Sequence, residues 1–291
     1  MTVGAATPMG APRRASDRTQ ALAFIAAQQE SATTASAYVG TSDEDLEADL
    51  DALDQPWMDT LRVTEDHGEI TGAALVEWDT DVDIAWIHGP WTTPETWDRD
   101  AAALLASAVD QTPVARHQMY GDVDNVRMAD LAERLGWTVN DADIAFTAER
   151  AEQARCDPAV RPATAEDMTA LAELHDAAFP GTYATARQLL EDDGDYVTLV
   201  LADEEGLVGY AVGQPDGGAA YLDFVAVDPA RRRTKAATRL VGALANVLPG
   251  RTMHLTCNEN QAAAIGLYEA LGWRRASQLR AYDLWKAPRD A

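Results

Sequence analysis

The chain has 291 residues, a length suited to two α/β domains of about 100–150 residues each. Its hydrophobic fraction of 47% is enough to build packed cores and excludes a wholly disordered chain. Against 48 Asp and Glu stand 23 Lys and Arg, a formal charge of −25 that disfavours duplex nucleic acid and anionic membranes as general partners. In chain order, Asp17 to Glu30 reads as a helix, and Leu61 to Trp78 (LRVTEDHGEITGAALVEW) as two strands joined by an acidic turn with Gly. Val82 to Ile87 predicts a strand, Trp97 to Val109 a helix and Arg116 to Gly121 a further strand. A polar segment, Thr147 to Val160 with Pro158 near its end, marks a domain boundary.

Beyond the boundary, Met168, Leu171 and Leu174 give Ala165 to Ala178 a helical period, with Thr164 as N-cap, and Thr185 to Leu190 reads as a second helix. Tyr196 to Ala202, Leu207 to Val212 and Ala220 to Val227 read as strands. The glycines Gly213, Gly217 and Gly218 around Pro215 and Asp216 mark a hairpin turn. A helix begins near Lys235, with Ala237, Leu240, Val241, Leu244 and Leu248 as its apolar stripe. Thr252 to Cys257 is a strand, Ala262 to Leu271 a helix and Gln278 to Trp285 a last strand.

The chain also repeats itself. Asp122 to Trp137 (DVDNVRMADLAERLGW) aligns without gaps with Asn258 to Trp273 (NENQAAAIGLYEALGW), and Gly72 aligns with Gly209 at almost the same spacing. Two matches at one offset imply duplicated domains, expected at 1–150 and 151–291. Each half mixes hairpin strands with crossovers, so the fold class is α/β, a mixed central sheet flanked by helices in each domain.

The chemistry concentrates in Val225 to Val241, VAVDPARRRTKAATRLV. An apolar strand runs into Asp228 and Pro229, and then Arg231, Arg232, Arg233, Lys235 and Arg239 reverse the local charge. A strand ending at a helix N-terminus offers free N–H groups and a positive dipole end, suited to phosphate. Here the sequence resembles the GNAT superfamily of N-acetyltransferases, whose pyrophosphate motif, Gln/Arg-x-x-Gly-x-Gly/Ala, falls on Arg232, Arg233, Thr234, Lys235, Ala236 and Ala237. Lys235 stands at the usual Gly position, where a turn needing φ > 0 costs about 1 kcal/mol or more. Asn258 to Trp273 is similar to the same superfamily's Asn-x-x-Ala-x-x-x-Tyr-x-x-Leu/Lys-Gly-Phe/Trp segment. Counting back from Tyr268 puts the small residue on Ala264 and the pantetheine contact on Asn260 or Gln261.

The resemblance implies two tandem GNAT-like domains, the second binding acetyl-CoA and passing its acetyl group to an amine of a small molecule or peptide. It implies that the backbone of Val225, Ala226 and Val227 orients the thioester, that Arg232 to Thr238 hold the pyrophosphate, and that Tyr268 is the general acid. Asp223 interrupts an apolar strand whose alternation puts it with Val225 and Val227 on one face and Leu222, Phe224 and Ala226 on the other, which makes it the candidate base. The first half has Glu95, Asp98 and Asp100 against Arg99 in the corresponding loop and Ala132 in place of the tyrosine, so it resembles a GNAT domain that has lost the acetyl-CoA site. The mycothiol synthase group shares such a two-domain plan, but no residue here marks its substrate. A second class, a non-catalytic acyl-CoA sensor or interaction scaffold, is favoured by Lys235, whereas Tyr268 and Asp223 favour an enzyme.

Other residues are set aside. His67, His88, His117, His175 and His254 have no metal-ligand spacing, so no metal is expected. Cys156 and Cys257 form no CxxC pair, and Cys257 reads as a buried apolar residue. Met1 to Gln20 has no signal-length apolar stretch and no run reaches membrane-spanning length, so a cytoplasmic protein is expected.

Overall fold

A computed structural model describes residues 11–191 and 196–286. The first half forms β1 (Arg13–Arg14), α1 (Arg18–Gln29), α2 (Asp43–Asp51), α3 (Trp57–Thr60), β2 (Arg62–Asp66), β3 (Glu69–Asp79), β4 (Ile84–Thr92), α4 (Trp97–Asp110), β5 (Arg116–Asp122), α5 (Val126–Arg134), β6 (Thr138–Glu149) and α6 (Arg150–Gln153). The second forms β7 (Val160–Pro162), α7 (Met168–Ala178), β8 (Val197–Asp203), β9 (Gly206–Asp216), β10 (Ala219–Val227), α8 (Ala236–Val247), β11 (Thr252–Asn258), α9 (Ala262–Ala270) and β12 (Arg274–Trp285). The sequence repeat is a repeat of elements: β5, α5 and β6 recur as β11, α9 and β12, each 136 residues on with both ends in register.

Local chemistry accounts for the elements. The Asp17 side chain accepts the N–H of Gln20 and caps α1. Thr164 and Asp167 form a capping box around a 3₁₀ turn, Ala165–Asp167, that leads into α7, so the expected helix starts three residues late. Thr185 to Leu190 yields only a 3₁₀ turn, Gln188–Leu190, because the Gln188 side chain accepts both the N–H and the hydroxyl of Thr185. The strongly acidic segment 43–51, to which the sequence reading assigns no element, folds as α2 because Leu46 and Leu50, one turn apart, are fully buried.

The chain divides into two compact units, Met1–Ala142 with Gln278–Ala291, and Asp143–Ser277. This differs from the expected division at 150/151, and the reason is an exchange of final strands. β6 pairs antiparallel with β11 from Asp143–Asn258 to Glu149–Thr252, so the first half supplies a strand to the second unit. β12 pairs antiparallel with β5 from Leu279–Asp122 to Trp285–Arg116, so the C-terminal strand serves the first unit.

Within the first unit the strand order is β1-β2-β3-β4-β5-β12, and within the second it is β6-β11-β10-β9-β8-β7. Both are mixed sheets, with β4–β5 and β10–β11 as their parallel pairs. In the second unit α8 packs on one face through Leu240, Val241, Leu244 and its C-cap Leu248, against Phe146, Leu222 and Leu255. The other face is covered by Leu171 of α7 with Leu189, Tyr210 and Phe224.

The exchange is testable by truncation. A chain spanning 143–277 keeps Ile144, Phe146 and Ala148, all buried in the second unit's core, and is expected to melt in one transition. One spanning 151–277 loses these contacts, roughly 1.5–3 kcal/mol for each of the two large side chains, and is expected not to fold cooperatively. Equal melting curves for the two, by circular dichroism, would contradict the exchange.

Candidate active site

Strand β10 sets up the site on both of its edges. On the β9 edge Leu222 opposes Gly213 and Phe224 opposes Val212, which makes Asp223 an extra residue, a β-bulge. The bulge turns the strand over: Ala220 and Leu222 join the core under α8, whereas Phe224 and Ala226 join the core under α7. The alternation that places Leu222, Phe224 and Ala226 on one face is therefore corrected at Asp223. On its other edge β10 pairs with β11 only at Ala220–Met253 and Tyr221–His254. β11 continues to Asn258 against β6, while beyond Tyr221 no described segment pairs with this edge of β10. The two parallel strands part, and Val225, Ala226 and Val227 line the slot between them.

Asp223 sits at the head of this slot. The Tyr183 hydroxyl donates to its Oδ1 at 2.7 Å, and Gln214 Nε2 donates to the same oxygen at 3.2 Å. Oδ2 is buried and has no hydrogen-bond partner among the described residues. Burial pushes the carboxyl up to about 7; the Tyr183 and Gln214 hydrogen bonds oppose that rise and Asp216 adds to it.

At the end of β10 the Asp228 side chain accepts the N–H of Ala230 and starts a tight turn. The following loop holds Arg233 at φ 67° and Lys235, the N-cap of α8, at φ 65° and ψ 15°. Both are left-handed, the conformation glycine adopts without penalty and other residues at about 1–2 kcal/mol. Two of the five cations are committed to structure: Arg231 pairs with Asp203 and Glu205, and Arg239 clamps Asp157 through Nε at 2.6 Å and Nη2 at 3.1 Å. Arg232, Arg233 and Lys235 are exposed and make no ion pair among the described residues; the Arg232 guanidinium lies 3.5 Å from the Val227 carbonyl. Thr234 is exposed, Ala236 buried, and Ala237 and Thr238 half-buried. The first helical bond runs from the Arg239 N–H to the Lys235 carbonyl, so the N–H groups of Ala236, Ala237 and Thr238 have no partner within the helix.

Because β10 and β11 are parallel, the loop after β11 leaves from the same end of the sheet. There the Asn260 N–H is held by Asn258 Oδ1 at 3.0 Å, Gln261 is the exposed N-cap of α9, and Ala264 is half-buried in its first turn. Tyr268 is 4% exposed, its ring 5.8 Å from Phe146 and 5.7 Å from Trp273. Burial raises its hydroxyl well above the usual phenol range and the Cys257 thiol to about 11, so both stay protonated at neutral pH. Tyr183 and Gln214, which complete the Asp223 environment, escaped the sequence reading, since a loop and a neighbouring strand supply them and no spacing links them to Asp223. No group of His, Cys, Asp or Glu among the described residues could hold a metal ion, and no described helix is long and apolar enough to cross a membrane.

The first unit parts its parallel strands in the same way, with β4 and β5 paired only from Ile84–Arg116 to Ile87–Met119. Beyond that point Ser36 bridges Gly121, and the Ala37 N–H bonds the Tyr120 carbonyl at 3.1 Å. Arg280 of β12 occupies the other edge of Gly121, so this segment takes the edge that faces β4. Gln29 fastens it: Nε2 donates to the carbonyls of Ser36 and Val39 at 3.0 Å, and Oε1 accepts the Ser36 N–H at 2.7 Å and the Trp91 indole N–H at 2.8 Å. Here the corresponding bulge falls on Gly89 and Pro90, which have no titratable side chain. Asp100, fully buried in the first turn of α4, is bound by Arg99, Thr64 and Thr71, and Ala132 stands where the second unit has Tyr268.

Residues 168–273 match the acetyltransferase (GNAT) family. No curated protein sequence matches the chain. Among solved structures, a GCN5-related N-acetyltransferase from Sphaerobacter thermophilus aligns with a TM-score of 0.62 at 18% identity, over 94% of each chain. A tandem GNAT protein from the clavulanic acid biosynthesis pathway aligns at 0.62 and 16% identity, over 96% of this chain and 99% of that one. A putative acetyltransferase from Pyrococcus horikoshii aligns at 0.58 and 13% identity, over 100% and 95%. At these identities the alignments establish the fold, across both units. The match to the acetyltransferase (GNAT) family thus falls in residues 168–273, within a chain that has the GNAT fold nearly throughout.

Proposed function

We propose that the second unit transfers an acetyl group from acetyl-CoA to the amine of a small molecule or peptide by direct attack. The observation that carries this reading is the slot beside β10, which opens next to three cations that have no acid partner among the described residues, in a chain of charge −25. Arg232, Arg233 and Lys235, with the N–H groups of Ala236 to Thr238, suit a pyrophosphate, while the Thr234 hydroxyl is engaged by the Arg231 carbonyl at 2.7 Å and shapes the loop. The open edge at Val225, Ala226 and Val227 offers backbone groups to an amide-containing arm such as pantetheine. Asn260 or Gln261 adds a side-chain contact, and Ala264 leaves room for the arm.

An alkyl ammonium near pKa 10 must lose a proton before its nitrogen can attack a thioester. Asp223, with its carboxyl raised to about 7, is matched to take that proton at neutral pH and must be ionised to do so, so activity rises with pH through about 7. The departing thiolate, with a basicity near 8.5, needs a proton in turn. Tyr268 is held neutral by burial and has one to give. In the first unit, Ser36 and Ala37 fill the slot and Asp98 and Asp100 occupy the first turn of α4; a structural rather than coenzyme-binding role follows.

Thiol release from acetyl-CoA across an amine panel tests the reaction. Replacing Arg232 and Arg233 together by Glu is expected to weaken acetyl-CoA binding at least tenfold, about 1.4 kcal/mol, and Tyr268→Phe to lower turnover by roughly tenfold to a thousandfold with binding preserved. Binding without turnover for any amine would favour an acyl-CoA sensor, and full turnover by Tyr268→Phe would return that residue to the core.

The left-handed Lys235 generates a separate expectation. Lys235→Gly removes strain of about 1–2 kcal/mol against the extra chain entropy of glycine, so it is expected to raise stability by about 0.5–1 kcal/mol; relief of strain opposes the lost cation, and acetyl-CoA binding is expected to stay unchanged or tighten. Calorimetry showing a clear loss of affinity would make the Lys235 ammonium a required phosphate contact instead.

A further inference from the structure

We propose that Tyr183 is the positioning residue for Asp223: together with Gln214 it occupies Oδ1 and leaves Oδ2 as the one carboxylate atom that accepts the acceptor's proton. The inference rests on the reading of Asp223 as the base and goes beyond it by naming the atom and the group that selects it.

A carboxylate has two equivalent oxygens until its surroundings distinguish them. Here two side-chain donors converge on one, the Tyr183 hydroxyl at 2.7 Å and Gln214 Nε2 at 3.2 Å, while Oδ2 is shielded from bulk water and has no hydrogen-bond partner among the described residues. Tyr183 is itself held rigidly. Its ring stacks on Phe224 with centroids 4.8 Å apart, and Phe224 packs edge-on against His175 at 4.9 Å and Phe179 at 5.0 Å. The residue after Tyr183 is also tied down, since His175 Nε2 lies 2.9 Å from the Ala184 carbonyl while its Nδ1 lies 2.6 Å from the Tyr210 hydroxyl. The phenol therefore points at Oδ1 without further ordering.

The ionisable groups acting on this pair come from four elements: Tyr183 from the loop after α7, Tyr196 beside β8, Asp216 on β9, and Tyr221 on β10, whose hydroxyl is 2.9 Å from Thr256 Oγ1. Each of these is a tyrosine or a carboxylate, so an acceptor's ammonium would complement an ionised Asp223. In the step, an N–H bond of the ammonium breaks and an O–H bond forms at Oδ2. The nitrogen keeps the electron pair for attack, and Asp223 becomes neutral while still accepting from Tyr183 and Gln214.

The test follows the Asp223 carboxyl by carbon-13 NMR in the full chain, with Asp223→Asn to assign the signal, alongside the pH dependence of thiol release. Tyr183→Phe keeps the ring stack but removes the donor to the charged form, so the carboxyl midpoint and the pH–rate midpoint are both expected to rise by about one pH unit. Gln214→Met, which removes the weaker donor from a half-exposed position, is expected to move both the same way by less, and serves if Tyr183→Phe proves unstable. An unmoved carboxyl midpoint in a folded variant would overturn the proposal and leave Tyr183 a packing residue. A carboxyl midpoint that moves while the rate profile of Tyr183→Phe stays still would overturn it differently, by showing that Asp223 is not the base.

Discussion

Two parallel strands that pair for only two residues and then part leave the hydrogen-bonding groups along their facing edges in need of other partners, and the second unit is organised around that need. The parting is compatible with stability because each strand keeps its outer neighbour: β9 follows β10 to Val227, and β6 follows β11 to Asn258. The separation therefore costs the sheet only a few ladder bonds while opening an edge that a ligand amide can satisfy. The cations of the loop and the free N–H groups of α8 lie at the end of that edge, where charge can be met as well.

The first unit applies the same constraint with the opposite outcome. Its parallel strands also part, beyond Ile87–Met119, but Ser36 and Ala37 then pair with the freed edge of β5, and a single glutamine side chain ties that segment to Trp91. The loop acids point the same way, since Asp100 spends its charge on Arg99 and two threonine hydroxyls. The two units thus differ in what fills a shared gap more than in how their sheets are built. Exchange of β6 and β12 makes each unit's sheet depend on the other half of the chain, which gives a reason to retain a first unit whose own gap is closed.

Much of this architecture is legible in the amino-acid sequence. The Leu-Gly-Trp repeat marked the duplication because α5 and α9 keep the same helix and the same C-terminal glycine turn, at Gly136 and Gly272. The cation run after an apolar strand located the loop, and Lys235 at a glycine position foretold its positive φ. What stayed hidden depends on tertiary choice. β6 and β12 have the same length and position in their repeats, so nothing local says which parallel strand each will join. The bulge at Asp223 moves Phe224 to the opposite face from the one its spacing implies, and the donors to Asp223 come from a loop and from β9. Arg231 and Arg239 looked equivalent to Arg232 and Arg233 in sequence, yet acids at Asp203, Glu205 and Asp157, far away along the chain, commit them to the fold.

The central claim is that the chain holds one acyl-CoA slot, open in the second unit and filled by the protein's own backbone in the first. Isothermal titration of the full chain with acetyl-CoA measures this directly through its stoichiometry. The account predicts one site per chain, abolished or weakened at least tenfold when Arg232 and Arg233 are replaced by Glu. Two equivalents per chain, or a single site indifferent to that change, would contradict it.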